Sequence, residues 1–211
     1  SMKIPYGRSN FADIRRRGFF YVDKTPFLPV LESDESGYAY LVFLRPRRMG
    51  KSLLLSMMEH YYDKSRAAEF DALFGGLWVH AHPTPEKNQH LVLSIDFSSV
   101  ATDQGPDVLR RSFFETVKDA VRTLLLRYRE RIPSLAEVFA KIDAYEEPSG
   151  LLSHLFSILG FVDEKLYVLI DEYDSFANRL LADGNVALHE SIARGGGFVR
   201  SFYATLKAGT T

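Results

Sequence analysis

Residues 38–62 read YAYLVFLRPRRMGKSLLLSMMEHYY. Tyr38 to Leu44 is an apolar run of strand type, ended by Arg45 and Pro46. From Lys51 to Tyr62, apolar residues recur at Leu53, Leu54, Met57, Met58 and Tyr61, the spacing of a helix that buries one face. Between them lies Arg45-Pro46-Arg47-Arg48-Met49-Gly50-Lys51-Ser52. Nucleoside triphosphates bind at such strand-to-helix junctions, because free backbone N–H groups and the positive end of the helix dipole face the polyphosphate. Gly50 would let the backbone approach, Lys51 would reach the β- and γ-phosphates, and the Ser52 hydroxyl would ligate Mg²⁺. The full pattern is G-x-x-x-x-G-K-[ST], and Arg45 stands where its first glycine belongs. Gly-Lys-Ser is weak by letters alone; its place between an apolar strand and an amphipathic helix gives it weight.

Working outward, Leu166-Tyr167-Val168-Leu169-Ile170 is continuously apolar, as a central parallel strand buried on both faces should be. It ends in Asp171-Glu172, which puts carboxylates at the edge where open α/β sheets bind ligands. Asp171 would hold Mg²⁺, and Glu172 would orient and deprotonate the attacking water. The two motifs, in this order and each at a strand end, predict an α/β phosphate-binding-loop (P-loop) fold, a three-layer sandwich with a mostly parallel central sheet. Asp96 is a rival acid, ending the apolar run Leu91 to Ile95 but followed by Phe97. It reads as an auxiliary pocket residue or a helix-capping acid.

The remaining pattern alternates strands and helices. Leu91 to Phe97 predicts a strand. Asp107 to Arg131 predicts a long helix with a stripe at Leu109, Phe113, Val117, Val121, Leu124 and Tyr128, ended before Pro133. A shorter helix is expected over Leu151 to Leu159, closed by Gly160. Two more are expected near Ser175 to Leu181 and over Phe198 to Lys207, with Gly195-Gly196-Gly197 as a flexible joint. In the leader, Phe19 to Val22 is strand-like, and Thr25-Pro26 reads as the N-cap and first position of a helix. The expected organisation is a leader, residues 1–36, packing on a core over 37–211.

Composition bounds the function. Of 211 residues, 46% are hydrophobic and 25% charged, which fits a globular chain rather than a disordered one. Lys plus Arg number 26 and Asp plus Glu 27, so a formal net charge of -1 excludes a general electrostatic grip on nucleic acid. There is no cysteine, which excludes disulfides, thiolate metal sites and cysteine nucleophiles, and fits a reducing cytoplasm. No run approaches the roughly 18 apolar residues of a membrane helix. Arg15-Arg16-Arg17 reads as the solvated side of a helix, and His80 with His82 as a loop pair rather than metal ligands. Of Arg45, Arg47 and Arg48, at least one is expected on phosphate, as guanidinium pairs with phosphate oxygens. Arg179, Arg194 and Arg200 follow the acidic strand and are read as surface arginines.

Four stretches together, IPYGRSNFADIRRRGFFYVDKTPFL, LVFLRPRRMGKSLLLSMMEHYY, LVLSIDFS and YVLIDEYDS, resemble the bacterial AAA-ATPase-like family of P-loop NTPases, whose members often carry a C-terminal nuclease-like domain of the PD-(D/E)XK type. In that family the first loop glycine is commonly Arg, as at Arg45. The resemblance implies a Walker A site for ATP at Arg47, Arg48, Met49, Gly50, Lys51 and Ser52, and a Walker B pair at Asp171 and Glu172. Asp174 matches the last acid of the family's D-E-Y-D run. No residues remain for a nuclease domain, so nucleic acid would be met only through a missing domain. The family usually continues into a strand with a polar sensor residue, which in related ATPases lies between the loop strand and the acidic strand. The sheet is therefore expected to be incomplete there, inviting a strand-completing partner or a homo-oligomer. The function implied is Mg²⁺-dependent ATP hydrolysis coupled to a conformational switch. The alternatives are a nucleotide-gated module that does not hydrolyse and, more weakly, a small-molecule kinase. ATP rather than GTP comes from the resemblance, in line with the absence of an Asn-Lys-x-Asp segment.

Overall fold

A computed structural model describes residues 3, 10–33, 40–42, 51–172, 176 and 198–209. Within these the chain mixes helices with a small sheet and divides into two compact units. One comprises Ser1–Gly37 and Arg47–Val92, the other Tyr38–Pro46 and Leu93–Thr211.

The first unit is helical. Its elements are α1 (Phe11–Arg16), α2 (Phe27–Glu32), α3 (Lys51–Tyr62), a 3-10 stretch (Lys64–Glu69), α4 (Phe70–Phe74) and α5 (Trp78–Ala81). α3 has the predicted bounds. Its inward residues Met57, Met58 and Tyr61 are fully buried, with Phe11 and Ile14 of α1 and Phe74 of α4. Phe74 meets Phe11 at 4.9 Å and Tyr61 at 5.6 Å between ring centroids.

Polar links from distant sequence complete these short helices, and here several expectations fail. Thr25 does not cap α2, whose N-cap position is Pro26. Its buried hydroxyl instead donates to Asp23 Oδ1 at 2.6 Å and accepts the Val79 N–H at 3.2 Å. Asp23 Oδ2 accepts the Trp78 N–H at 2.7 Å, so the leader satisfies the first two amides of α5, which lacks a local side-chain cap. Phe19 to Val22 forms no strand; Phe19 forms an isolated parallel bridge with Lys3. Arg15 is half-buried rather than solvated. Its guanidinium donates to the carbonyls of Leu73, at 2.8 Å, and Gly75, at 2.6 Å, closing the end of α4, while Arg16 and Arg17 are exposed. His80 and His82 are not a loop pair: His80 lies in α5 and pairs with Asp71 at 2.9 Å, and His82 stacks on Trp78.

The second unit holds β1 (Tyr40–Val42), most of β2 (Leu91–Asp96), α6 (Pro106–Tyr128), α7 (Leu135–Ala140), α8 (Pro148–Phe161), β3 (Leu166–Asp171) and α9 (Phe198–Gly209). The strand order is β1-β3-β2, with β1 parallel to β3 and Tyr40, Leu41 and Val42 opposite Val168, Leu169 and Ile170. The gap expected between the loop strand and the acidic strand is therefore not there. The two strands pair directly over Tyr40–Val42 and Val168–Ile170. Leu166 to Ile170 is buried throughout, as its unbroken apolar run requires.

The α6 stripe is buried at each predicted position. Gly105, at φ 93, turns the chain into Pro106, which opens the helix. α8 does not stop at Gly160. It runs to Phe161, and Asp163 takes the left-handed position (φ 55) of a Schellman cap. The Asp163 N–H bonds Gly160 O, and the Glu164 N–H bonds Leu159 O. α9 packs on α8 and buries Phe202 and Leu206. Of the helix expected over residues 175–181, only Phe176 is described, in helical conformation; Gly195 to Gly197 lie outside the described residues.

Replacing Thr25 by Val keeps the shape but leaves the Val79 amide without its acceptor. We expect a loss of about 1–3 kcal/mol in urea unfolding, largely restored by Thr25→Ser.

Candidate functional site

α3 is anchored at its C-terminal end by residues 88–90. A helix leaves its last carbonyls without partners inside the helix, and here segment 88–90 takes them. Asn88 Nδ2 donates to His60 O at 3.3 Å and Asp63 O at 2.8 Å, the Asn88 N–H to Tyr61 O at 2.8 Å, and the His90 N–H to Tyr62 O at 3.0 Å. Asn88 reaches these groups with φ 52, a left-handed conformation that asparagine tolerates. Midway along the helix, Ser56 Oγ accepts the Phe11 N–H at 2.9 Å, tying α3 to α1. These bonds hold α3 at its middle and at its C-terminal end. Lys51 is its first residue and Ser52, exposed, its second; no acidic residue lies in the first turn. Arg45, Arg47, Arg48, Met49 and Gly50 lie outside the described residues, as do Asp174, Arg179 and Arg194. Arg200 falls on α9.

His60, on α3, is buried and bonds Ser56 O through Nδ1 at 2.7 Å, which makes Nδ1 the protonated nitrogen of a neutral ring. Burial holds its pKa below the ordinary 6.5, aided by nearby Arg66; the hydrogen bond to Ser56 and the charges of Glu59 and Glu69 oppose the shift.

The acids belong to the second unit. Asp171 ends β3 and Glu172 follows it, both half-buried. Asp171 Oδ1 accepts the Glu172 N–H at 2.9 Å. Glu172 takes φ 60, a left-handed backbone that costs a residue with a side chain about 1–2 kcal/mol. Two backbone bonds hold the pair: the Phe97 N–H donates to Asp171 O at 3.1 Å, and the Phe176 N–H to Glu172 O at 3.0 Å. The first of these sets the ends of β2 and β3 side by side. On the other flank, Val42 is the register partner of Ile170.

Asp96 ends β2 at this same edge, exposed, and its Oδ1 accepts the Ser98 N–H at 2.8 Å. It caps a local turn and not a helix, since α6 begins only after Gly105. Among the described residues no group of three or more His, Cys, Asp or Glu side chains is arranged to hold a metal ion. No helix of the described residues is long and apolar enough to cross a membrane. Sequence reasoning missed Phe97 and Phe176 as backbone supports. The available signals were adjacency, Phe97 following a strand-ending acid, and helical spacing, Phe176 lying four residues beyond Glu172.

Two expected outcomes follow from these environments. If the left-handed backbone at Glu172 carries strain, Glu172→Asn should stabilise the protein by up to about 1 kcal/mol, because asparagine enters that region readily; a clear loss in denaturant midpoint would contradict this. The unfolded chain protonates His60 before the folded one does. Stability is therefore full above pH 6.5 and is lost as pH falls from 6.5 through the lowered folded value. Urea titrations at pH 7.5 and 5.5 should show a smaller pH difference for His60→Asn than for the wild type.

Compared with known proteins, the chain matches the AAA-ATPase-like family model, described as "Predicted AAA-ATPase", over residues 5–211. No curated protein and no solved structure matches it.

Proposed function

The chain belongs to the AAA-ATPase-like family, and from that premise we propose that it is a Mg²⁺-dependent ATPase of P-loop sandwich type whose hydrolysis drives a conformational switch. The observation that carries this reading is the register of β1 on β3. It pairs the strand that precedes the Arg-Pro-Arg-Arg-Met-Gly-Lys-Ser segment in the sequence with the strand that ends in Asp171, and the helix that follows in the sequence starts at Lys51.

Arg47, Arg48, Met49 and Gly50 would wrap the phosphates with backbone amides, one or more of the arginines adding a guanidinium. Lys51 would meet the β- and γ-phosphates. The acid-free first turn of α3 suits such an anion. Ser52 and Asp171 are hard oxygen donors of the kind Mg²⁺ takes, and Mg²⁺ is commonly held by one or two protein oxygens plus the phosphates. When bound, the ion would neutralise charge on the phosphate oxygens. Glu172 would take the proton of the attacking water. In this reading residues 37–211 are the ATPase core, carrying a leader of residues 1–36, in a cytoplasmic protein.

The test is a thermal-shift series with MgATP on the wild type, Lys51→Ala and Glu172→Gln, paired with phosphate release. At 100 times its dissociation constant, bound nucleotide should add about 2.7 kcal/mol to the wild type. Lys51→Ala should lose the shift. Glu172→Gln should keep it while turnover drops by roughly 10²–10⁴-fold. A normal shift in Lys51→Ala would refute the site, and a shift without turnover in the wild type would mark a nucleotide-gated module instead.

A further inference from the structure

The supports of the two acids are parts of one ring cluster. Phe97 and Phe176, whose amides hold Asp171 and Glu172, lie 5.7 Å apart between centroids. Phe113 of α6 stacks on Phe97 at 5.1 Å and meets Phe176 at 5.9 Å. Phe202 of α9 stands edge-on to Phe113 at 5.3 Å and to Phe97 at 6.1 Å. All four side chains are at most 2% exposed. The geometry is that of mutually oriented rings, in which edge-to-face and offset contacts fix direction as well as volume.

Glu172 needs such a support. A glutamate has no intrinsic preference for φ 60, so its backbone stays there only if the surroundings hold it. The bond from the Phe176 amide to its carbonyl is one such hold, and Phe176 is in turn fixed by its ring. Phe202 completes the cluster from α9, which is anchored separately on α8.

We propose that Phe176 and Phe202 are positioning residues for Glu172: the four-ring cluster sets the backbone that aims the carboxylate, and the seating of α9 through Phe202 governs the rate of hydrolysis. The proposal rests on the reading of Glu172 as the base that activates water. Neither phenylalanine is assigned a contact with nucleotide, so loss of a ring should act on the chemical step and not on ATP affinity.

The experiment measures steady-state MgATP hydrolysis and the affinity of a fluorescent ATP analogue on the full chain, for the wild type, Glu172→Gln, Phe176→Leu and Phe202→Leu. Leucine keeps most of the buried volume and so keeps the variants folded; Phe202→Tyr serves as the ring-preserving control. Misplacing a catalytic group by about 1 Å can cost roughly 10²-fold. The two leucine variants should therefore lose about 10- to 100-fold in kcat, with KM and analogue affinity within about twofold of the wild type. Phe202→Tyr should retain most of the rate. Wild-type kcat in folded Phe176→Leu and Phe202→Leu would overturn the positioning role. So would a parallel loss of affinity and kcat, which would mean general destabilisation. Turnover that Glu172→Gln leaves intact would sink the underlying reading of Glu172 and the proposal with it. Glu172-dependent turnover that the leucine variants preserve would sink the proposal alone.

Discussion

The backbone ladder along β3 is the constraint on which the second unit depends. An apolar strand buried along its length must find partners for each amide and carbonyl, since water does not reach them. β3 finds them on β1 and β2. Its register on β1 sets Val42 opposite Ile170, and its contact with the end of β2 sets Asp171 beside Phe97. A slip of one residue would turn each β3 side chain to the opposite face. With both faces apolar, burial alone would not forbid such a slip. The change to Asp171-Glu172 does, because an acid moved into the ladder would be buried without compensation.

The first unit follows another logic. Its helices are short, several too short to persist alone, and polar groups from distant sequence complete them. Arg15 closes α4, Asp23 and Thr25 open α5, and Asn88 with His90 takes the last carbonyls of α3. Each link replaces a cap that a longer helix would carry beside it. The apolar cluster of Phe11, Met57, Tyr61 and Phe74 supplies cohesion. The polar links decide which ends meet.

This difference explains what was legible in the sequence. α3, α6 and α9 could be read because apolar residues repeat with the helical period, β2 and β3 because their apolar runs are continuous, and the bounds of α3 follow from its own residues. What failed was decided elsewhere in the chain. Thr25 has the letters of an N-cap, but its hydroxyl serves α5. Gly160 has the letters of a terminator, but α8 continues to a cap at Asp163. The Arg15 run looked solvated because nothing local marks the carbonyls of Leu73 and Gly75 as its partners. The direct pairing of β1 with β3 was hidden for the same reason, since strand neighbours are a property of topology. At the candidate site, the Asp-Glu pair could be read at its strand end. Its supports could not, because Phe97 and Phe176 carry the same signal as any core aromatic.

The pairing of β1 with β3 also sets an order of events during synthesis. Tyr40 leaves the ribosome long before Val168 exists, and the intervening chain includes α3, α4 and α5 of the other unit. Contacts between residues so far apart form late and slow folding. Until β3 arrives, β1 is an apolar segment without its ladder, the kind of edge that recruits other chains. The nascent protein therefore carries an aggregation hazard at β1 until β3 is made. A chaperone that shields that stretch until β3 emerges would change yield without touching the stability of the finished molecule.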